Sequence, residues 1–142
     1  MFECDRKAWG LFSRHHYLSN RLSSNARCFV GMIDDRPAAF VSTSRFPHAT
    51  VKNMMMLSRI VVIPDFQGIG VAGKMIDSVS DHLFYQGWRV RITTSHPGMI
   101  GSLKGSQSWI CKRQGRNGRH RGTVSEKGSS GRITTSWEYK QI

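Results

Sequence analysis

The chain has 142 residues, 39% of them hydrophobic, with 21 Lys and Arg against 9 Asp and Glu for a formal net charge of +12. That length suits one domain with a single core, read here as spanning residues 1–142. No run approaches the roughly 18 apolar residues of a membrane helix, and Met1-Phe2-Glu3-Cys4-Asp5 lacks the layout of a signal peptide, so the expected location is the cytosol, with no membrane partner. The charge implies a field that attracts polyanions, whether nucleic acid, an anionic surface or a phosphorylated cofactor. Three cysteines, far apart and outside Cys-x-x-Cys spacing, argue against a disulfide framework or a zinc site, and no metal is expected. Cys28 and Cys111 sit among apolar residues and read as small buried hydrophobes.

In chain order, residues 6–13 read as a short helix with Trp9, Leu11 and Phe12 toward a core, although Gly10 weakens it. Residues 26–33 and 38–44 are strands on either side of Asp34-Asp35-Arg36-Pro37, an antiparallel hairpin. After a loop from Phe46 to Asn53, residues 54–63 form a long apolar strand that stops at Pro64-Asp65. A turn with Gln67-Gly68-Ile69-Gly70 leads into a helix over 71–85, with Ala72, Met75, Ile76, Val79 and Leu83 on one face and Lys74, Asp77, Ser78 and Asp81 opposite. Gly87 suits a left-handed cap, and residues 88–94 alternate as a strand. Strand, crossover helix and strand of this length place the two strands parallel. A short helix follows over 98–104, with Pro97 in its first turn, then a strand over 109–113 and a closing strand over 132–139. Between them, Gln114 to Gly131 is rich in Gly, Ser, Arg and Lys, and the basic stretch 112–131 is expected to be a mobile loop. It reads either as the site of a polyanion partner such as nucleic acid or as a solvated loop.

Residues 57–85 organise the chain. A strand that delivers the backbone through glycines into a helix N-terminus binds phosphate, because the first helical N–H groups lack intrahelical partners and the helix dipole is positive there. The turn is not a P-loop, since no Lys-Ser/Thr pair follows at the required spacing. Nor is it the dinucleotide fingerprint: its third glycine would be Gly73, and Arg89-Val90-Arg91 stands where an acidic residue should close the next strand.

The segment does resemble the acyl-CoA motif of the GNAT N-acetyltransferases, Q/R-x-x-G-x-G/A after a strand ending V-x-P. Gln67, Gly70 and Ala72 match the motif, with Val62, Pro64 and Gly68 in the usual surroundings, and the order of elements agrees over roughly residues 26–110. The resemblance implies an α/β fold with a mixed, splayed β-sheet flanked by helices. It also implies acetyl-CoA as co-substrate, its pyrophosphate held by backbone amides of Gln67, Gly68, Ile69, Gly70, Val71 and Ala72. The pantetheine arm would pair with the strand edge at Ile60, Val61, Val62 and Ile63. The glycines also admit a plainer reading, as a tight turn.

Acyl transfer to an amine needs a neutral amine, an oxyanion donor and a proton source for the thiolate. Many members of the family use a glutamate by the long strand and a tyrosine in the helix after the parallel strand. This chain has Leu57-Ser58-Arg59 and Gly98-Met99-Ile100-Gly101-Ser102-Leu103 in those places. The remaining catalytic candidates are His96, Ser95 and, from His15-His16-Tyr17, His16. His96 reads either as a proton shuttle, for which the ordinary histidine pKa of about 6.5 is suited, or as a helix cap. Neighbouring histidines on a helix cannot both face one site, so only one of His15 and His16 is a candidate. The start Trp9, Phe12, His15, His16, Tyr17, Leu18 and Ser19, with Thr94 to Pro97, is similar to a microbial and phage-associated GNAT subgroup. One departure is that the chain begins at its first helix with no recognisable first strand, as a minimal domain or a piece of a longer protein would.

The function these features predict is transfer of acetyl from acetyl-CoA to a primary amine on an acceptor that is, or is attached to, a polyanion. Acceptor choice would lie in residues 6–24 and the basic loop. The alternative is a catalytically degenerate module of the same fold that serves nucleic-acid binding or assembly.

Overall fold

A computed structural model describes residues 1–16, 21–116 and 133–142, with the backbone alone for Arg116. The described elements are β1 (Phe2–Cys4), two 3-10 helices (Arg6–Leu11 and Ser13–His15), β2 (Arg27–Ile33), β3 (Arg36–Arg45), β4 (Met54–Val62), a 3-10 turn (Pro64–Phe66), α1 (Val71–Tyr85), β5 (Arg89–Thr94), α2 (Pro97–Gly105), β6 (Trp109–Arg116) and β7 (Ile133–Tyr139). The strands form one sheet in the order β1-β2-β3-β4-β5-β7-β6. Every neighbouring pair is antiparallel except β4 and β5, which are parallel around the crossover α1. The α/β architecture is the expected one: a mixed sheet flanked by helices.

The β2–β3 hairpin turns on Asp34 and Asp35 alone, at φ 48° and 59°. A two-residue turn with both φ positive matches the twist of its strands, and aspartate tolerates that region better than most side chains. Two cores lie on opposite faces. The larger packs Met75, Ile76, Val79 and Leu83 of α1 and Leu103 of α2 against Phe29, Val41, Leu57, Ile92 and Trp137. The smaller packs Trp9 and Phe12 against Cys28, Val30, Phe40 and Val61.

Pairing of β4 with β5 runs only from Met54↔Arg89 to Leu57↔Ile92. Beyond it β4 stays on β3 as far as Ala39↔Val62, while β5 follows β7 to Thr94↔Thr135. The sheet therefore splits, as expected. The Ile63 N–H donates to Ala38 O on β3 at 2.8 Å, so by alternation the backbone groups of Ile60 and Val62 face the split. Among the described residues, no helix is long and apolar enough to cross a membrane.

Several expectations need correction. A first strand exists: β1 pairs Phe2 with Val30 and Cys4 with Cys28. Its three residues are too few to show a period. Residues 6–15 form 3-10 helices rather than one α-helix, which turns Leu11 out to 60% exposure. Cys111 is exposed on the edge strand, unlike buried Cys28. Residues 112–116 extend β6, because an edge strand accepts a polar, basic sequence that reads as loop. The rest of the expected mobile loop, together with Arg132 and Tyr17-Leu18-Ser19, lies outside the described residues.

Candidate functional site

The split between β4 and β5 holds a cleft of about 540 Å³. Leu57, Ser58, Ile60 and Val62 line its β4 wall, Ile92 to His96 its β5 wall, Gln67, Ala72 and Met99 its helix side, and His16 its other side. Of the four strand residues expected there, Ile60 and Val62 line the cleft, whereas Val61 is buried in the opposite core with Ile63 packed beside it.

Gln67 donates from Nε2 to the carbonyl of Val62 at 2.9 Å. Its side chain thereby covers an acceptor on the open edge of β4 and ties the turn to the strand. Gly68 and Gly70 take φ of 82° and 81° with open space where a Cβ would stand. The left-handed backbone rather than crowding calls for glycine. Gly70 precedes α1, and the Lys74 N–H is bonded to the Gly70 carbonyl at 3.2 Å, so the amides of Val71, Ala72 and Gly73 come before the first i−4 acceptor of the helix. An anionic group fits this end: amides, a positive dipole end and no Cβ in front of two residues. Ile69, at 68% exposure, tops the turn. At Gly73 a Cβ would come 3.0 Å from Ser102 Oγ, which sets how closely α1 and α2 approach beside the cleft.

His96 is the N-cap of α2. Its Nδ1 accepts from the Met99 N–H at 3.3 Å, and its own N–H donates to Thr94 Oγ1 at 3.1 Å. That hydrogen bond assigns the ring proton to Nε2, which makes Nε2 a donor. A Cβ on residue 98 would meet the imidazole at 3.1 Å, so Gly98 leaves room for the cap. The cap is present, and with Nδ1 engaged by the Met99 N–H it is Nε2 that is left for any other role. His16 lies edge-on to buried Trp9, ring centroids 5.7 Å apart. His15 instead accepts from Arg14 Nε at 3.2 Å and does not line the cleft.

Ser58 joins the cleft with no motif in the sequence to mark it. It sits at the bulge where β3–β4 register shifts between Ser42 and Thr43, just past the last β4–β5 pair. Its Oγ lies 2.9 Å from Ser42 Oγ and donates to Ser42 O at 3.2 Å. With Ser42 Oγ–H as the other donor, Ser58 Oγ keeps one lone pair. The signal was positional only, a polar residue in an apolar strand.

A second cavity of about 810 Å³ lies between α2 and the β6–β7 hairpin, lined by Ile100, Gly101, Lys104, Gln114, Ile133 and Thr135. Ser95, His96 and Pro97 also border it, so Ser95 and His96 form the wall common to both cavities. Among the described lining residues of the two cavities there is no carboxylate, and Lys104 brings a cation.

Residues 2–100 match the family described as acetyltransferase (GNAT). No curated protein matches the sequence. The fold is similar to that of a ribosomal-protein alanine N-acetyltransferase from Escherichia coli, with TM-score 0.70 and 13% identity over 99% of this chain and 94% of that one. It is also similar to an acetyltransferase from Bacillus subtilis in complex with CoA, with TM-score 0.62 and 11% identity over 83% of this chain and 78% of that one. A GNAT-family acetyltransferase from Elizabethkingia anophelis with acetyl-CoA bound gives TM-score 0.60 and 13% identity over 83% and 78%. At such identities the likeness is one of fold.

Proposed function

The chain belongs to the acetyltransferase (GNAT) family, and we propose that it binds acetyl-CoA in the cleft between β4 and β5 and acetylates a primary amine. The observation that carries this reading is the open edge of β4, which ends at a glycine turn and a helix N-terminus. Bound acetyl-CoA supplies an activated acyl group on a good leaving group. The backbone edge at Ile60 and Val62 suits the amides of an extended arm, and the amides from Gly68 to Ala72 suit a pyrophosphate. Gln67 shapes that turn through the Val62 carbonyl. Val61 and Ile63 anchor the strand from the other face.

His96, whose Nδ1 accepts from the Met99 N–H, acts as an Nε2–H donor toward a carbonyl oxygen that gains negative charge. Ser58 offers its remaining lone pair to an amine N–H, and Ser95 stands at the wall between the cavities. His16 is the proton acceptor for the amine. In this reading the acceptor enters from the second cavity, and its amine meets the thioester within the cleft beside Ser95 and His96, the wall common to both cavities. The absence of lining carboxylates among the described residues, Lys104, and the charge of +12 support an acceptor that is anionic or attached to a polyanion.

Titration calorimetry with acetyl-CoA, followed by CoA release across a panel of amines that includes nucleic-acid-linked ones, tests the reading. Binding is expected, with release lost in His16→Ala. No binding at millimolar concentration would overturn it and return the chain to the binding-module alternative. For the polyanion-linked acceptor, retention on nucleic acid should fall steeply with salt; retention indifferent to ionic strength counts against it.

A further inference from the structure

Cys4 and Cys28 stand directly opposite each other on β1 and β2. Both belong to the smaller core, Cys28 at 1% exposure and Cys4 half-buried against it, so their side chains share one face of the sheet. Cys111 lies on β6 at the far edge of the sheet. Hydrogen-bond parity, counted from the Ile63–Ala38 bond through the β3–β4, β2–β3 and β1–β2 registers, makes Cys4 and Cys28 a hydrogen-bonded pair. Such pairs hold their Cα atoms about 5.5 Å apart, within the roughly 4.4–6.8 Å found in disulfides. Their Cβ atoms stand wider than a relaxed disulfide prefers, so the bond would carry strain, and strained disulfides are the readily reduced ones.

We propose that Cys4 and Cys28 are a modification site: they form a reversible cross-strand disulfide by thiol–disulfide exchange with a low-molecular-weight disulfide such as oxidised glutathione, which is reduced. The Cys4 thiolate, the more exposed, attacks one sulfur of glutathione disulfide, whose S–S bond breaks and releases one glutathione thiolate. The Cys28 thiolate then attacks the Cys4 sulfur of the mixed disulfide and expels the second glutathione. Two protein thiols are oxidised, one glutathione disulfide is reduced to two glutathiones, and the two thiol protons pass to the leaving thiolates. Burial pushes the Cys28 thiol up to about 11, the negative charge of a Cys4 thiolate and of the Asp5 and Glu3 carboxylates adds to the rise, and Arg6 opposes it. Ring closure is accordingly slow at neutral pH and quickens about tenfold per pH unit toward alkaline pH. The bond would fasten the segment that leads into the first 3-10 helix, because Asp5 caps that helix by accepting from the Lys7 N–H at 2.8 Å. That helix carries Trp9, the ring against which His16 rests.

The test uses the full chain with Cys111→Ser, incubated folded in glutathione redox buffer, quenched in acid, alkylated and mapped by mass spectrometry. The expected product is two hydrogens lighter, with the Cys4 and Cys28 peptides linked, and reverts to the dithiol when reduced glutathione is raised. Adding Cys28→Ala should stop the reaction at a glutathione adduct on Cys4. The proposal is overturned if folded protein holds a stable Cys4 adduct while Cys28 stays alkylatable after denaturation. It is equally overturned if the linkage forms only in urea or only between chains.

Discussion

β4 changes character halfway along. From Met54 to Leu57 it has β3 on one edge and β5 on the other, and Met54, Met55 and Leu57 are buried. From Ser58 to Val62 it has β3 alone, Ser58 is exposed, and Ile60 and Val62 are half-buried. Both halves continue the same hairpin with β3, so the hairpin does not distinguish them. What differs is the partner on the second edge. In the closed half another strand satisfies the backbone and side chains from α1 seal the face. In the open half the backbone groups at Ile60 and Val62 face a cleft, and only the Val62 carbonyl has a covering donor among the described residues, Gln67. An unpaired edge is a liability unless something covers it. The closed half thus holds the sheet together, and the open half is shaped for a ligand.

The largest effect should come from breaking the closed half. Leu57→Ala removes a buried side chain from the larger core, at a cost of roughly 2–5 kcal/mol. Urea unfolding would show it, and a loss below about 1 kcal/mol would mean that β4 and β5 are not packed as described. The open half should respond differently, with affinity for the cofactor falling alongside a modest loss of stability. In Gly70→Val the new side chain meets open space, so the stability cost is the left-handed backbone alone, about 1–2 kcal/mol. The displaced amides should weaken acetyl-CoA binding by tenfold or more, read by calorimetry. Unchanged affinity would separate the turn from the cofactor.

A smaller change sharpens the part played by His96 on the far wall. His96→Ala loses the cap on the Met99 N–H, worth about 1 kcal/mol, whereas His96→Asn can keep it. If the two variants unfold alike, the cap contributes nothing, and His96 must be explained by chemistry alone.

These contrasts also mark what could be read before the fold was known. The strand, glycine turn and helix at 54–85 were legible because each has a strong local cause: β-branched residues, left-handed glycines and an apolar stripe of period near 3.6. The parallel strand and the hairpin were legible for the same reason. Which β4 side chains face the cleft was not, because the register shift at Ser42/Thr43 is a property of the pair of strands. That shift also sets Ser58 beside Ser42, a contact between residues that no spacing rule connects. The cap that His96 makes rests on the position of the Met99 N–H against Nδ1, which a sequence pattern leaves open. The three-residue β1 escaped notice because its evidence is its partner β2, far off in sequence. The start of β6 at 109–113 was legible as a strand, whereas for its basic end, residues 114–116, composition pointed to loop while position at the sheet edge made strand acceptable.

The smallest expected effect concerns the closed half again, one strand farther out, where Arg89 and Arg91 of β5 both engage Glu138 of β7. The contacts are 2.7 Å and 3.0 Å, and the carboxylate is only 12% exposed while the arginines are 42% and 26% exposed. Burial alone would raise the Glu138 pKa, but the hydrogen bonds from Arg89 and Arg91 outweigh it and hold the carboxyl below its ordinary value of 4.5. A group whose folded pKa is depressed adds stability that is fully present above the unfolded value and is lost as pH falls through the folded one. Glu138→Gln should therefore cost roughly 0.5–1 kcal/mol near neutral pH. The gap to the unsubstituted chain should stay level down to about pH 5 and close below that, as the native carboxylate takes up its proton. Urea midpoints followed from neutral to acid pH give the curve. A gap that persisted undiminished into strong acid would show that the glutamate holds β5 and β7 by packing and not by charge.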